Sequence, residues 1–414
     1  MALPLRAKTD KLGRYYTCPN VGSLLIDQMP NIAPQRVLDL GSGSGILSRA
    51  AAVRWSNAEF ITVDVDSSLL NPRNSSANSI ARNHKHLCSD ALSINLPTLL
   101  ASQHGEIQAG ICNPPFILPQ WRDGFANILE DAGFSNCLPT IASADAALLF
   151  LAQNLRLLVE GATLGIILPD SLISAEKYRS FRRALITQYQ VLKSIKLPRN
   201  SFVGTDALAH ILIISKSKPS SGFINLAIFD SKCGIVEDVD VDLEAAVERL
   251  DCSYHAVNSR FKGVSFPMSL VIDSLKRGSL SSSAARTMNF KVLHTTDING
   301  EKLGQWIDFS KFGDLNLARE LDNMNLIYAK PGDILLARIG RNLEKKIVGI
   351  SAGYPVLTDC MYRLRVSSIY RRSILTQLSS ESGAAWLRAR GFGVSAQQIP
   401  KSGLLEFPIV LSNK

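Results

Sequence analysis

A chain of 414 residues, 46% hydrophobic and with a net charge of +9, is long enough for two or three domains and at least one large core. No apolar run reaches the roughly 18 residues of a membrane span, and the opening MALPLRAKTDKLGRYY lacks the apolar core of a secretory signal, so a cytoplasmic protein without membrane attachment is expected. Seven cysteines without a CxxC pair argue against a disulfide framework or a zinc site, and six histidines in no ligand spacing leave no metal expected.

From Arg36 to about Ser215, short β-branched or apolar runs alternate with helical stretches, the pattern of a largely parallel sheet flanked by helices. The first strand, RVLDL (36–40), runs straight into Asp39-Leu40-Gly41-Ser42-Gly43-Ser44-Gly45, and a helix begins near Ile46. Glycines at 41, 43 and 45 let a tight turn pass close to a ligand, although such loops serve many nucleotides. The second strand, EFITVD (59–64), ends in Asp64, where a carboxylate can accept from two ribose hydroxyls. That placement suits NAD as well as S-adenosylmethionine. After the next strand, Asp90 in HLCSDAL can accept from an adenine amino group or simply start a loop.

The fourth strand, IQAGIC (107–112), delivers Asn113-Pro114-Pro115-Phe116. Two prolines hold the backbone extended and supply no N–H, so the Asn113 side-chain oxygen and the Pro114 carbonyl can both accept from one amino group. An exocyclic amine is conjugated with its ring and is a poor nucleophile. Two acceptors aimed at its hydrogens favour the pyramidal nitrogen of a transition state, and Phe116 offers a ring for a planar base. Further on, the spacing predicts a helix over 144–158 and strands at 163–168, 191–197 and 209–215. KSKPSSG (216–222) then breaks the alternation, an acidic strand-and-helix stretch runs to about 260, and a Ser-rich loop, GSLSSSAA, covers 278–285. Residues 271–414 hold 20 Lys and Arg against 12 Asp and Glu, so the basic excess lies in the last third. A polyanionic partner and an ordinary solvated surface both accommodate it.

These motifs together resemble the γ-order N6-adenine DNA methyltransferases, both the Taq type and the modification subunits of type I restriction systems. RYYTCPNVGSLLI (14–26) is similar to the family's N-terminal motif and implies that Thr17 helps hold the methionine part of the cofactor; Cys18 stands where a proline is usual. DLGSGSG matches the first cofactor motif, VDVD the ribose motif, SDAL with Asp90 and Ala91 the adenine-contacting motif, and NPPF the catalytic one. EGATLGIILPDSLIS (160–174) and IKLPRNSFVGTDALAHILIISK (195–216) resemble the two motifs that follow. The resemblance implies Phe150 against the cofactor adenine, and Phe116 and Phe202 on opposite faces of an adenine extruded from the duplex. Residues 291–414 look similar to one target-recognition unit of type I specificity subunits, with Arg338, Arg341, Lys345 and Lys346 as the densest basic cluster.

The expectation is therefore a class I S-adenosylmethionine-dependent methyltransferase fold, a Rossmann-like mixed α/β sheet, plus a strand-rich α+β recognition domain. Expected bounds are 1–220 for the catalytic domain, 221–285 for a connecting extension and 286–414 for recognition. Expected function is methyl transfer to adenine N6 in double-stranded DNA by base flipping, with a separate restriction endonuclease or second subunit as a further partner. Methylation of a protein glutamine is the competing chemistry, since that family uses an NPPY-like tetrapeptide. A non-catalytic specificity subunit is the other alternative. PD and EK within 169–177 lack the spacing of a nuclease metal site and read as methylase framework.

Overall fold

A computed structural model describes residues 17–66, 83–138, 144–261, 265–316 and 326–410. Residues 14–16 of the N-terminal motif and the opening segment lie outside that set. The chain divides into two compact units, 1–252 and 253–414.

The first unit is built on a nine-stranded sheet in the order β3-β2-β1-β4-β5-β7-β6-β8-β9. Its strands are β1 (Arg36–Leu40), β2 (Glu59–Asp64), β3 (His84–Cys88), β4 (Ala109–Cys112), β5 (Thr163–Pro169), β6 (Gln190–Lys196), β7 (Ala209–Ser215), β8 (Phe223–Asp230) and β9 (Gly234–Asp242). β1 to β5 are parallel, and β7 enters antiparallel between β5 and β6. Central strands such as β4 and β5 are buried along their whole length, as expected of strands with helices on both faces. Helices α1 (Pro19–Gln28), α2 (Ile46–Arg54), α3 (Leu96–His104), α4 (Phe125–Asp131), α5 (Ala146–Leu157), α6 (Asp170–Ser174), α7 (Arg179–Gln188) and α8 (Leu243–Glu248) connect or cover them. α5 starts where the Asp145 carboxylate accepts from the Leu148 N–H, and nearly all its residues are buried.

The expected boundaries move. KSKPSSG is the turn from β7 into β8, which pairs parallel with β6 and carries the hairpin partner β9. Residues 221–252, expected in a connecting extension, therefore complete the sheet of the first unit, while 253–285 fold with the second. The physical reason is that β8 buries Ile224, Leu226 and Ala227, apolar surface that a linker would leave in water. At the end of the sheet β9 carries four acidic residues, Glu237, Asp238, Asp240 and Asp242, among aliphatic ones.

The second unit contains a five-stranded sheet of 272–277, 361–366, 334–337, 347–352 and 306–308, in that spatial order. Alternation along 334–337 feeds both faces: Ile334 and Leu336 enter one core with Leu364, Leu375, Leu378 and Leu387, and Leu335 enters another with Val348, Ile350 and Phe309. The Ser-rich stretch at 278–285 is not wholly loop, because Ser281 caps a short helix over Ser282–Arg286.

Candidate active site

The carboxyl ends of β1, β2, β3 and β4 open into one pocket, lined among others by Thr17, Asp39, Gly41, Gly43, Asp64, Asp90, Ala91, Asn113, Pro115 and Phe150. Every residue implied by the resemblance for the cofactor is in that lining. Gly41, Gly43 and Gly45 all have left-handed backbone, with φ of 74°, 49° and 73°. A Cβ on Gly41 would sit 2.9 Å from Phe150 Cε1, so the missing side chain is what lets the α5 ring close over the loop.

Each carboxylate is held in place by its surroundings. Asp64 accepts from the Gly43 N–H at 2.8 Å and from the Asp66 N–H at 2.9 Å, which ties the end of β2 to the glycine loop. Asp90 accepts from the Leu92 N–H at 2.9 Å and pairs with Arg122. Asp39, 2% exposed, accepts from the Ser48 hydroxyl at 2.6 Å. Burial pushes the Asp39 carboxyl up to about 7, against that hydrogen bond, which pulls the other way. Ser48 and Arg122 were not foreseen from sequence, and neither were Ile117 and Pro119, which supply pocket wall just after the tetrapeptide.

At Thr17 and Asn113, two of the lining residues, three separate segments meet. Asn113 Nδ2 donates to Thr17 Oγ1 at 2.8 Å, which turns the amide oxygen away from Thr17. Thr17 forms a β-bridge with Phe202, and the Cys18 N–H donates to the Ser201 carbonyl at 3.2 Å. Phe116 and Phe202 lie edge to face with ring centroids 6.0 Å apart. The two rings are thus brought together, but not as parallel plates, and Phe202 is only 3% exposed. Pro114 is buried.

A match to the family model for N-6 DNA methylase runs over residues 5–233, more than half of the chain. The chain belongs to the N-6 DNA methylase family. Its fold is that of the class I methyltransferases, a mixed sheet flanked by helices, as the sequence pattern led one to expect. No curated protein sequence matches it. Among solved structures, the type IIG restriction endonuclease BpuSI shares 13% identity with a TM-score of 0.51, over 96% of this chain and 59% of that one. The methyltransferase subunit of a type I restriction-modification system from Streptococcus thermophilus shares 20% identity with a TM-score of 0.45, over 58% of this chain and 53% of that one. The type ISP restriction-modification enzyme LlaGI, solved with a DNA substrate mimic, shares 11% identity with a TM-score of 0.46, over 76% of this chain and 37% of that one. The chain thus spans little more than half the length of BpuSI.

Of the four basic residues singled out in the second unit, Arg341 and Lys345 are exposed. Arg338 is 6% exposed and donates from Nε to the Asp359 carbonyl at 2.7 Å, and the Lys346 ammonium donates to the Thr295 carbonyl at 2.9 Å. These two are framework groups as folded, because a guanidinium or ammonium engaged with backbone inside the unit has little reach for a phosphate. Among the described residues, Asp170, His210 and Asp251 are close enough to share a metal ion. The Lys196 ammonium already neutralises Asp251 at 2.8 Å.

Proposed function

We propose that the chain is a site-specific DNA methyltransferase that uses S-adenosylmethionine to methylate adenine N6 in duplex DNA, as part of a restriction-modification system. The observation that carries the cofactor half of this reading is the charge of the pocket: Asp39, Asp64 and Asp90 line it, and no Lys or Arg is among the lining residues described. A dinucleotide's pyrophosphate would meet a lining that carries three carboxyl groups and no cation of its own, the Arg122 guanidinium being engaged with Asp90. A sulfonium with an ammonium group and two ribose hydroxyls meets the complementary sign and three sets of acceptors. When bound there, S-adenosylmethionine supplies an electrophilic methyl group.

The protein's own residues then have separate tasks. Asp64 receives the ribose hydroxyls, Asp90 the adenine amino group and Asp39 the ammonium, while Phe150 covers the adenine and Thr17 borders the methionine part. The Asn113 amide, clamped by Thr17, presents its oxygen and the Pro114 carbonyl to the target amine, and these acceptors draw its hydrogens out of the ring plane as the nitrogen becomes nucleophilic. A base buried in duplex DNA cannot reach this position, so it is extruded at a cost of a few kcal/mol. Phe116 offers the stacking face, roughly 1–3 kcal/mol per base, after its ring turns from the edge-to-face contact with Phe202. The second unit supplies the recognition surface, with Arg341 and Lys345 as its phosphate or base contacts, and a separate nuclease or second subunit completes the system in the cytoplasm.

Single-molecule sequencing of DNA from a host expressing the protein tests the whole reading, with modified adenines at one recurring sequence as the expected result. Unmodified DNA together with a methylated protein glutamine would replace DNA by protein as the substrate.

A further inference from the structure

The loop 197–208 leaves β6 after Lys196 and enters β7 just before His210, and these two residues pair directly across the ladder. Its tip carries Phe202 and grips Thr17, which in turn holds the Asn113 amide. At its foot lies a group of ionisable side chains, all but Lys196 buried, that the chemistry above does not use. Lys196 Nζ donates to Asp251 Oδ2 at 2.8 Å, at side-chain exposures of 22% and 1%. His210 Nε2 and Asp170 Oδ1 are 3.2 Å apart, at side-chain exposures of 1% and 3%. Asp170 also donates its N–H to the Leu208 carbonyl at 3.0 Å, so its main chain and its side chain both hold the returning end of the loop. Asp251 is brought in by the Ser194 hydroxyl, which donates to the Leu250 carbonyl at 2.7 Å, and by the Leu250 N–H on the Ile173 carbonyl.

Buried ion pairs are poor stabilisers, since desolvation offsets most of the attraction and apolar replacements of like volume are often neutral. What they do supply is direction, because a charge in the interior tolerates one arrangement of its partner. We propose that Lys196, Asp251, His210 and Asp170 are positioning residues that set the loop 197–208 so that Phe202 and, through Thr17, the Asn113 amide stand in catalytic register. This rests on the methyltransferase reading of the pocket. Two anchors on two different elements, α6 and the segment after α8, fix both feet of the loop, and the Arg199 guanidinium bonded to the Asp206 carbonyl at 3.1 Å stiffens the span between them. A misplacement of about 1 Å at the tip is enough to cost roughly 100-fold in rate.

The test replaces both members of one pair, Lys196→Met with Asp251→Leu, so that neither is left without the other. The full-length variant should melt close to the wild-type temperature and bind S-adenosylhomocysteine within about threefold by calorimetry, since additive effects at distant sites are small. Hydrogen exchange in 197–208 should rise while that of β1 and β4 stays the same. With tritiated S-adenosylmethionine and genomic DNA from a host lacking adenine methylation, kcat should fall about 10-fold to 100-fold with the cofactor KM unchanged. Asp251→Asn, which keeps the side chain's shape and removes its charge, gives the same readouts if the double variant does not fold. Unchanged exchange in 197–208 would overturn the proposal, as would an unchanged kcat or a stoichiometric divalent metal bound at Asp170, His210 and Asp251. A wild-type protein inactive on DNA would strike the methyltransferase reading instead, and the exchange measurement would still decide the role of the pair.

Discussion

Asn113 and Asp39 sit in one pocket and should fail in different ways. Asn113→Ala removes one preorganised acceptor and leaves the three carboxylates untouched, so methyl transfer should drop by roughly 100-fold or more while S-adenosylhomocysteine binding measured by calorimetry changes little. Asp39 governs a pH dependence whose sign follows from its position. Its folded carboxyl titrates near 7, above the ordinary carboxylate range, so the unfolded chain gives up that proton first. The contribution to stability is full at acid pH and is lost as pH rises through about 7. A cationic ligand prefers the ionised carboxylate, and affinity for S-adenosylmethionine should therefore climb as pH rises toward 7 and level off above it. Calorimetry between pH 5.5 and 8.5 checks this, and Asp39→Asn should flatten the curve. A profile that falls with pH in the wild type would remove Asp39 from the cofactor's ammonium.

At the level of elements, the glycine loop between β1 and α2 is the most constrained piece of the pocket. Gly41→Ala forces a side chain into left-handed backbone and into the Phe150 ring, so it should destabilise the unit by about 1–3 kcal/mol in chemical denaturation and abolish cofactor binding. This loop and the tetrapeptide were legible in the sequence because their chemistry lies in neighbouring residues. The strands β1, β2 and β7 were legible too, being apolar runs with sharp ends. β3 was harder to bound: HKHLC is largely polar and half-exposed at a sheet edge, and carries little periodicity. β8 and β9 were set apart from the sheet because Ser, Pro and Gly in KSKPSSG mark a turn, and composition alone does not distinguish a turn from a domain boundary. The Asp251 and Lys196 pairing was out of reach altogether, since 55 residues separate them. Nor does sequence say which arginine of ARIGR faces inward.

For the whole molecule, charge divides with the fold. Residues 253–414 hold 22 Lys and Arg against 12 Asp and Glu, whereas 1–252 hold 23 against 24, so the entire net positive charge belongs to the second unit. A chain ended after Cys252 should keep cofactor binding and lose DNA binding, and the full-length protein's affinity for DNA should fall steeply between about 50 and 200 mM salt in fluorescence anisotropy. A salt-independent affinity would point to a partner other than a polyanion. The near-neutral first unit has another exposure, which comes from its outer strand. The last strand of a sheet is a template on which a further strand can dock, and β9 is last in the nine-stranded sheet. Asp238, Asp240 and Asp242 give that edge a fence of like charge, so two copies approaching edge to edge repel before their backbones can pair. Replacing the three by Asn would leave the pocket alone and lower the fence. Light scattering should then show concentration-dependent self-association and shorter shelf life, a defect of handling rather than of chemistry.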